Sequence, residues 1–237
     1  MKEGIKRNSL LRIMLLFSGT GGGLRPLSRI LSGFLDEFAD SLPCHLLEET
    51  HQMVRFGEVQ AKGNLLDRQT GKQQVVLHDL PLHPKEALTF IEEICKQEKP
   101  SVLVGNSNGA FLAQIVASRL EIPALLGNPY LEMTRFLIER IGIHEYKSPR
   151  ANGQQQLVID QSLIDKFAEV QAHQWDNSRP ELSDRIWGLF GENDHLAHFE
   201  PLFLQHYTRA YHFPGGHTPT AEEVREYYVP LAEKLIQ

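Results

Sequence analysis

Cysteine is scarce in this chain: Cys44 and Cys95 are the only two among its 237 residues. They form neither a CxxC pair nor a zinc-ligand pattern, so we expect two free thiols in a reducing cytoplasm. The 11 histidines show no H-x-x-x-H or H-E-x-x-H spacing. A catalytic metal is therefore not expected, and the sequence indicates no other cofactor.

The chain also lacks a long apolar run and an excess of positive charge. The N-terminal apolar run Ile13–Phe17 is too short for a signal-peptide core or a membrane span. A net charge of −6, with scattered Lys and Arg, argues against a nucleic-acid partner. With 41% hydrophobic and 23% charged residues, we expect one cytoplasmic domain over residues 1–237 that acts on a small molecule. The oligomeric state stays open.

Strand-like and helix-like patterns alternate along the chain, which predicts an α/β fold with a mostly parallel sheet and helices on both faces. Strand patterns lie at 12–17, 45–49, 75–79, 101–104, 123–127, 185–190 and 209–213. We interpret residues 50–72 as a hairpin insertion. Helical patterns at 132–141 and 162–172, joined by a polar loop, predict a small helical cap insertion over 131–180.

The most informative motif is Gly105-Asn106-Ser107-Asn108-Gly109, a G-x-S-x-G between a strand pattern and a helix pattern. This is the sequence of a nucleophile elbow, a strained turn that lifts a serine above a parallel sheet. The flanking glycines suit a turn where strand and helix backbones approach closely. The alternative is a Gly-rich turn that only packs a helix on the sheet.

A serine nucleophile needs a base and an acid that orients the base. On this fold the expected order is serine, acid, histidine, each on a loop after a strand. Glu192 and Asp194 share the loop after the strand at 185–190, and Asp194 is the favoured acid. His217 follows Gly215-Gly216 after the last strand and is the candidate base.

An oxyanion that forms at this serine needs about two backbone N–H donors. We expect one from Asn108, directly after the nucleophile, and one from Thr20, after the first strand. The Gly-rich stretch 19–23 lacks the Lys-Ser/Thr ending of a P-loop, so nucleotide binding is disfavoured.

Three aromatic residues, Tyr130, Phe136 and Phe167, are candidates for the wall of an acyl pocket. They lie in or next to the predicted cap at the carboxyl edge of the sheet, where sites of open α/β folds occur. The alternative is that the apolar stripe of this segment packs its helices onto the sheet.

With these residues placed, the chain resembles the α/β-hydrolase superfamily, and within it the small bacterial YqiA-like esterases. The resemblance is carried by the segments 76–84, 103–109, 126–130, 193–194 and 215–217. It implies the α/β-hydrolase fold and esterase activity. The family's nucleophile, acid and base roles carry over to Ser107, Asp194 and His217.

The sequence thus predicts a serine hydrolase that cleaves a carboxylic ester or thioester through an acyl-enzyme intermediate. Two alternatives stay open. One is a non-catalytic binding or scaffold protein on a hydrolase fold, since fold does not fix function. The other is an acyltransferase that uses the same triad.

Overall fold

A computed structural model describes residues 11–17, 63–65, 73–145 and 156–237. Its strands are β1 (Leu11–Phe17), β2 (Gly63–Leu65), β3 (Gln73–Asp79), β4 (Val102–Asn106), β5 (Ala124–Gly127), β6 (Gly142–Glu145), β7 (Gln156–Ile159), β8 (Ile186–Gly191) and β9 (Arg209–Phe213). Its α-helices are α1 (Pro84–Glu98), α2 (Asn108–Leu120), α3 (Met133–Ile138), α4 (Gln161–Ala172), α5 (Glu200–Phe203), α6 (Ala221–Glu223) and α7 (Val229–Leu235). A 3-10 turn covers Pro180–Leu182, and a π-helical turn, Val224–Tyr228, joins α6 to α7.

Seven strands form one sheet in the order β2-β3-β1-β4-β5-β8-β9. All neighbours pair in parallel except β2, which pairs with β3 in the antiparallel sense. The carboxyl ends of β4, β5, β8 and β9 therefore lie along one edge of the sheet. In open α/β folds this edge carries the ligand site.

Successive residues of the central strands enter opposite layers of the core, as expected for a sheet covered on both faces. In β4, Leu103 packs with α1, α2 and α4, whereas Val102 and Val104 pack with the C-terminal helical segment. Strand β5 alternates in the same way. Because both faces are buried, these strands are apolar except at Asn106, the last residue of β4.

Most predicted elements in the described ranges are present, with ends that differ by one or two residues. The helix predicted over 132–141 is wrong at its C-terminal end, because α3 stops at Ile138 and β6 begins at Gly142. Gly142 has a φ of 142°, a conformation that a helix does not use. The following strand β6 pairs with β7 as an antiparallel hairpin, so the segment 131–180 is not purely helical.

Two predicted segments lie outside the described residues: the strand over 45–49 and most of the polar loop between the helical patterns at 132–141 and 162–172. Of the predicted hairpin insertion over 50–72, the structure describes only β2. Among the described helices, none has the length and apolar character needed to cross a membrane.

Candidate active site

Ser107 lies in the turn between β4 and α2, with a φ of 55° and a ψ of −121°. A positive φ is uncommon for a residue with a side chain and marks a strained turn. The turn is tight because the backbones of β4 and α2 nearly touch: a Cβ on Gly105 would lie 2.6 Å from the Gly109 carbonyl oxygen. The Ser107 N–H donates to Gly127 O at 3.0 Å, which ties the turn to the end of β5. The predicted elbow geometry is thus present.

The structure brings Ser107, His217 and Asp194 into one hydrogen-bonded row. Ser107 Oγ lies 2.8 Å from His217 Nε2, and His217 Nδ1 lies 2.8 Å from Asp194 Oδ2. A carboxylate only accepts, so Nδ1 carries the proton that it donates to Asp194. Nε2 of the neutral ring is then the acceptor for the Ser107 hydroxyl. Such a row can move a proton from the hydroxyl to the imidazole.

Asp194 is buried, whereas Glu192 on the same loop is exposed to solvent. Burial alone would raise the pKa of the Asp194 carboxyl. The hydrogen bond and charge of His217, together with N–H donors from Leu196 and Ala197, outweigh burial and hold its pKa below the usual value. The backbone donors lie 2.7 and 3.1 Å from Oδ1. Asp194 is thereby kept ionised, with its other oxygen free to face the imidazole.

Two asparagines that no sequence motif singled out also contact the loop after β9, which carries Gly216 and His217 and is called the histidine loop below. Asn106 ends β4 and Asn128 follows β5, and the side-chain amides of both donate to the His217 carbonyl oxygen. Polar residues at the ends of neighbouring parallel strands are a signal that could have pointed to them.

The first predicted oxyanion donor, Asn108, opens α2, where N–H groups have no partner within the helix. The positive end of the helix dipole also lies there and favours a negative charge. Thr20, the second predicted donor, lies outside the described residues.

The aromatic candidates separate into two groups. The Tyr130 ring contacts Phe136 and Phe199 edge-on, with ring centroids 5.1 and 4.7 Å apart. The Tyr130 N–H lies 3.4 Å from Ser107 O, which places this group next to the elbow. Phe167 instead packs against Phe111 of α2, deep in the core, with centroids 6.3 Å apart. Phe199 belongs to the group around Tyr130 but was not among the candidates from the sequence.

Within the ranges described, no group of three or more His, Cys, Asp or Glu side chains is arranged to hold a metal ion. His195 and His198, near Asp194 in sequence, are exposed.

Residues 57–209, more than half of the chain, match the model of an uncharacterised protein family, UPF0227. The chain belongs to this family, which confirms the resemblance found in the sequence. The matched range includes Ser107 and Asp194 and ends before His217. A comparison with curated proteins gave no match.

Solved structures with the same architecture come from several sources. An α/β-hydrolase enzyme, MGS-MChE2, from a sediment metagenome of the Mar Chica lagoon, Morocco, has 16% identity and a TM-score of 0.51, with 98% of this chain and 96% of that chain covered. The esterase domain of a Rhodothermus marinus protein has 11% identity and a TM-score of 0.55, with 98% and 90% covered. A monoacylglycerol lipase from Paleococcus ferrophilus has 13% identity and a TM-score of 0.52, with 95% and 93% covered. These similarities show that the chain has the α/β-hydrolase fold.

Proposed function

We propose that this member of the UPF0227 family is a serine hydrolase that cleaves a carboxylic ester or thioester. The observation that carries the proposal is the continuous row of hydrogen bonds from Ser107 through His217 to Asp194, at 2.8 Å for each step. A strained elbow holds the serine and a buried, ionised carboxylate holds the base. The esterase, lipase and hydrolase descriptions of structural neighbours are consistent with this chemistry.

Acylation begins when His217 Nε2 takes the proton of the Ser107 hydroxyl while Oγ attacks the substrate carbonyl carbon. The carbonyl oxygen becomes an oxyanion, and the Asn108 N–H at the start of α2 is our proposed donor to it. His217 then gives its proton to the leaving alcohol or thiol, and the acyl group stays on Oγ.

Deacylation repeats the sequence with water in the place of the serine hydroxyl. His217 removes a proton from water, the hydroxide attacks the acyl carbonyl, and the proton returns to Ser107 Oγ as the acid leaves. Asp194 stays ionised throughout, because it fixes the tautomer of His217 and stabilises the imidazolium ion that forms in each half-reaction.

A fluorophosphonate probe followed by peptide mapping tests the proposal. We expect covalent labelling of Ser107, and we expect Ser107→Ala to abolish labelling and to lower the hydrolysis of simple aryl esters by about 10⁴- to 10⁶-fold. Labelling of another serine, such as Ser101, would contradict the elbow assignment. Unlabelled wild-type protein would instead support a non-catalytic binding role.

A further inference from the structure

Two buried amides converge on the main chain of the residue that carries the imidazole. Asn106 Nδ2 donates to His217 O at 3.1 Å, and Asn128 Nδ2 donates to the same oxygen at 3.0 Å. Asn128 Nδ2 also donates to the preceding carbonyl, Gly216 O, at 2.8 Å. The amides come from the ends of neighbouring strands, β4 and β5, and each is at least nine-tenths buried.

The orientation of each amide is fixed by a second hydrogen bond at its oxygen. Asn106 Oδ1 accepts from the Tyr228 hydroxyl at 3.0 Å, and Asn128 Oδ1 accepts from the Gly191 N–H at 2.7 Å. Main-chain carbonyls only accept, so the nitrogen of each amide faces the carbonyls of the histidine loop and its oxygen faces the other partner. Gly127 leaves room for the Tyr228 hydroxyl, since a Cβ there would lie 2.2 Å from it.

These contacts connect the three loops that carry Ser107, Asp194 and His217. Asn106 directly precedes Ser107, and Asn128 binds Gly191, three residues before Asp194. The His217 main chain is therefore tied to β4, which leads to Ser107, and through Asn128 to the end of β8, which leads to Asp194. The position of the imidazole depends on the position of the His217 backbone. The hydrogen bonds from the two amides therefore affect how well the imidazole reaches Ser107 and Asp194.

We propose that Asn106 and Asn128 are positioning residues, an amide clamp on the His217 carbonyl that aligns the imidazole between Ser107 and Asp194. The proposal rests on the hydrolase function proposed above. Neither amide contacts the reacting atoms, so the clamp acts only through the position of His217. A misplacement of about 1 Å in such a base can cost about 100-fold in rate.

Asn→Asp is the sharpest substitution at both positions because it keeps size and shape and replaces the N–H donors by the oxygen of an acid. The cost of the buried acid itself is measured by a matched control. In Asn106→Asp the new carboxylate would still accept from the Tyr228 hydroxyl, and in Asn128→Asp it would still accept from the Gly191 N–H. Asn128 has a φ of 41°, a left-handed conformation that Asp tolerates almost as well as Asn and that Ala does not. Backbone strain is therefore avoided in Asn128→Asp.

Gln114→Glu is the matched control. Gln114 is a fully buried amide on α2 whose Nε2 donates to Gln174 O at 2.9 Å and to the Tyr207 hydroxyl at 3.0 Å. The substitution also replaces a buried amide by an acid and removes donors to a main-chain carbonyl. The hydrogen-bond partners of Gln114 lie outside the histidine loop. Any loss of stability or activity that a buried acid causes in general is therefore also measured in Gln114→Glu.

The variants are compared by steady-state hydrolysis, by thermal melting and by the NMR resonance of the His217 Nδ1 proton, assigned with Asp194→Asn. For folded Asn106→Asp and Asn128→Asp we expect kcat to fall about 10- to 100-fold, with KM changed by less than about twofold. The Nδ1 proton resonance should broaden or disappear in both. Gln114→Glu should keep the resonance and most of kcat, whatever it costs in melting temperature.

The clamp is wrong if the folded Asn→Asp variants keep wild-type kcat and an intact resonance, or lose activity only in proportion to their unfolded fraction. If one of these variants does not fold, the other variant and Tyr228→Phe test the clamp. Tyr228→Phe removes the hydroxyl that donates to Asn106 Oδ1, so the Asn106 amide is held less firmly. Failure of the hydrolase function gives a different result: the wild-type protein would not react at Ser107. The resonance would then still report whether the amides hold the imidazole.

Discussion

Asp194 uses its two carboxylate oxygens for two different tasks in relation to His217. Oδ2 lies 2.8 Å from His217 Nδ1, whereas Oδ1 accepts the backbone N–H groups of Leu196 and Ala197. The backbone donors fix the carboxylate plane and keep it ionised, so the oxygen that faces the imidazole is an acceptor at neutral pH. Two predictions rest on this division.

Asp194→Asn should lower kcat by about 10³-fold or more, because an amide can present an N–H to Nδ1 and so favour the wrong imidazole tautomer. Glu192→Gln is the matched control, since Glu192 lies on the same loop and is exposed. It should leave kcat close to the wild-type value. Steady-state kinetics with an aryl ester measures both, and equal losses would mean that the effect comes from the loop rather than from the acid.

The lowered pKa of Asp194 also predicts how stability depends on pH. A carboxyl with a lower pKa in the folded than in the unfolded state adds stability above its unfolded pKa, about 3.9. That contribution is lost as the pH falls through the folded pKa. The difference in melting temperature between wild type and Asp194→Asn should therefore shrink as the pH falls below about 5. A difference that grows as the pH falls below about 5 would contradict the assignment.

The centre of the sheet could be predicted from sequence because β4, β5 and β8 are buried on both faces and are therefore mostly apolar. The turn at Ser107 could be predicted as well, since the close approach of β4 and α2 requires small residues at Gly105 and Gly109. Both signals are local, because they depend only on the hydrophobicity and the size of a few consecutive residues.

The hairpin β6–β7 was missed because its strands are four residues each and half-exposed, too short to display a clear alternation. The choice between Glu192 and Asp194 could only be a preference, since the path of the loop decides which carboxylate turns inward. Asn106 and Asn128 bind carbonyls that lie 111 and 88 residues further along the chain. No local pattern records such a contact.

Gly105→Ala should destabilise the fold and lower activity together. The added Cβ would lie 2.6 to 2.7 Å from backbone atoms of Gly109 and Ala110, which cannot move without displacing α2. Overpacking of this kind costs about 1–3 kcal/mol, measurable by urea unfolding. Gly216→Ala is the control for stability, because its Cβ would meet only Asn193 O at an ordinary 3.6 Å. Equal stability of Gly105→Ala and wild type would show that the elbow is less tight than described.

The aromatic group beside the elbow should determine acyl-chain preference, whereas Phe167 should determine stability. Phe136 contacts Tyr130, whose backbone N lies 3.4 Å from Ser107 O, so a substitution of Phe136 changes the packing close to Ser107. Phe167 packs on Phe111 within the core. We expect Phe136→Leu to change the ranking of short and long acyl esters with a modest loss of melting temperature.

Phe167→Ala is the matched comparison, and it should keep the ranking of acyl esters while it destabilises the protein by about 3–5 kcal/mol, the usual cost of emptying a buried aromatic site. The measurement is kcat/KM over a series of aryl esters of increasing acyl length, at a temperature where both variants are folded. A pocket wall changes relative rates among substrates, whereas a packing residue changes the folded fraction and so scales all rates alike. If both variants lose stability and keep the wild-type ranking, the segment that follows β5 packs the fold and does not line an acyl pocket.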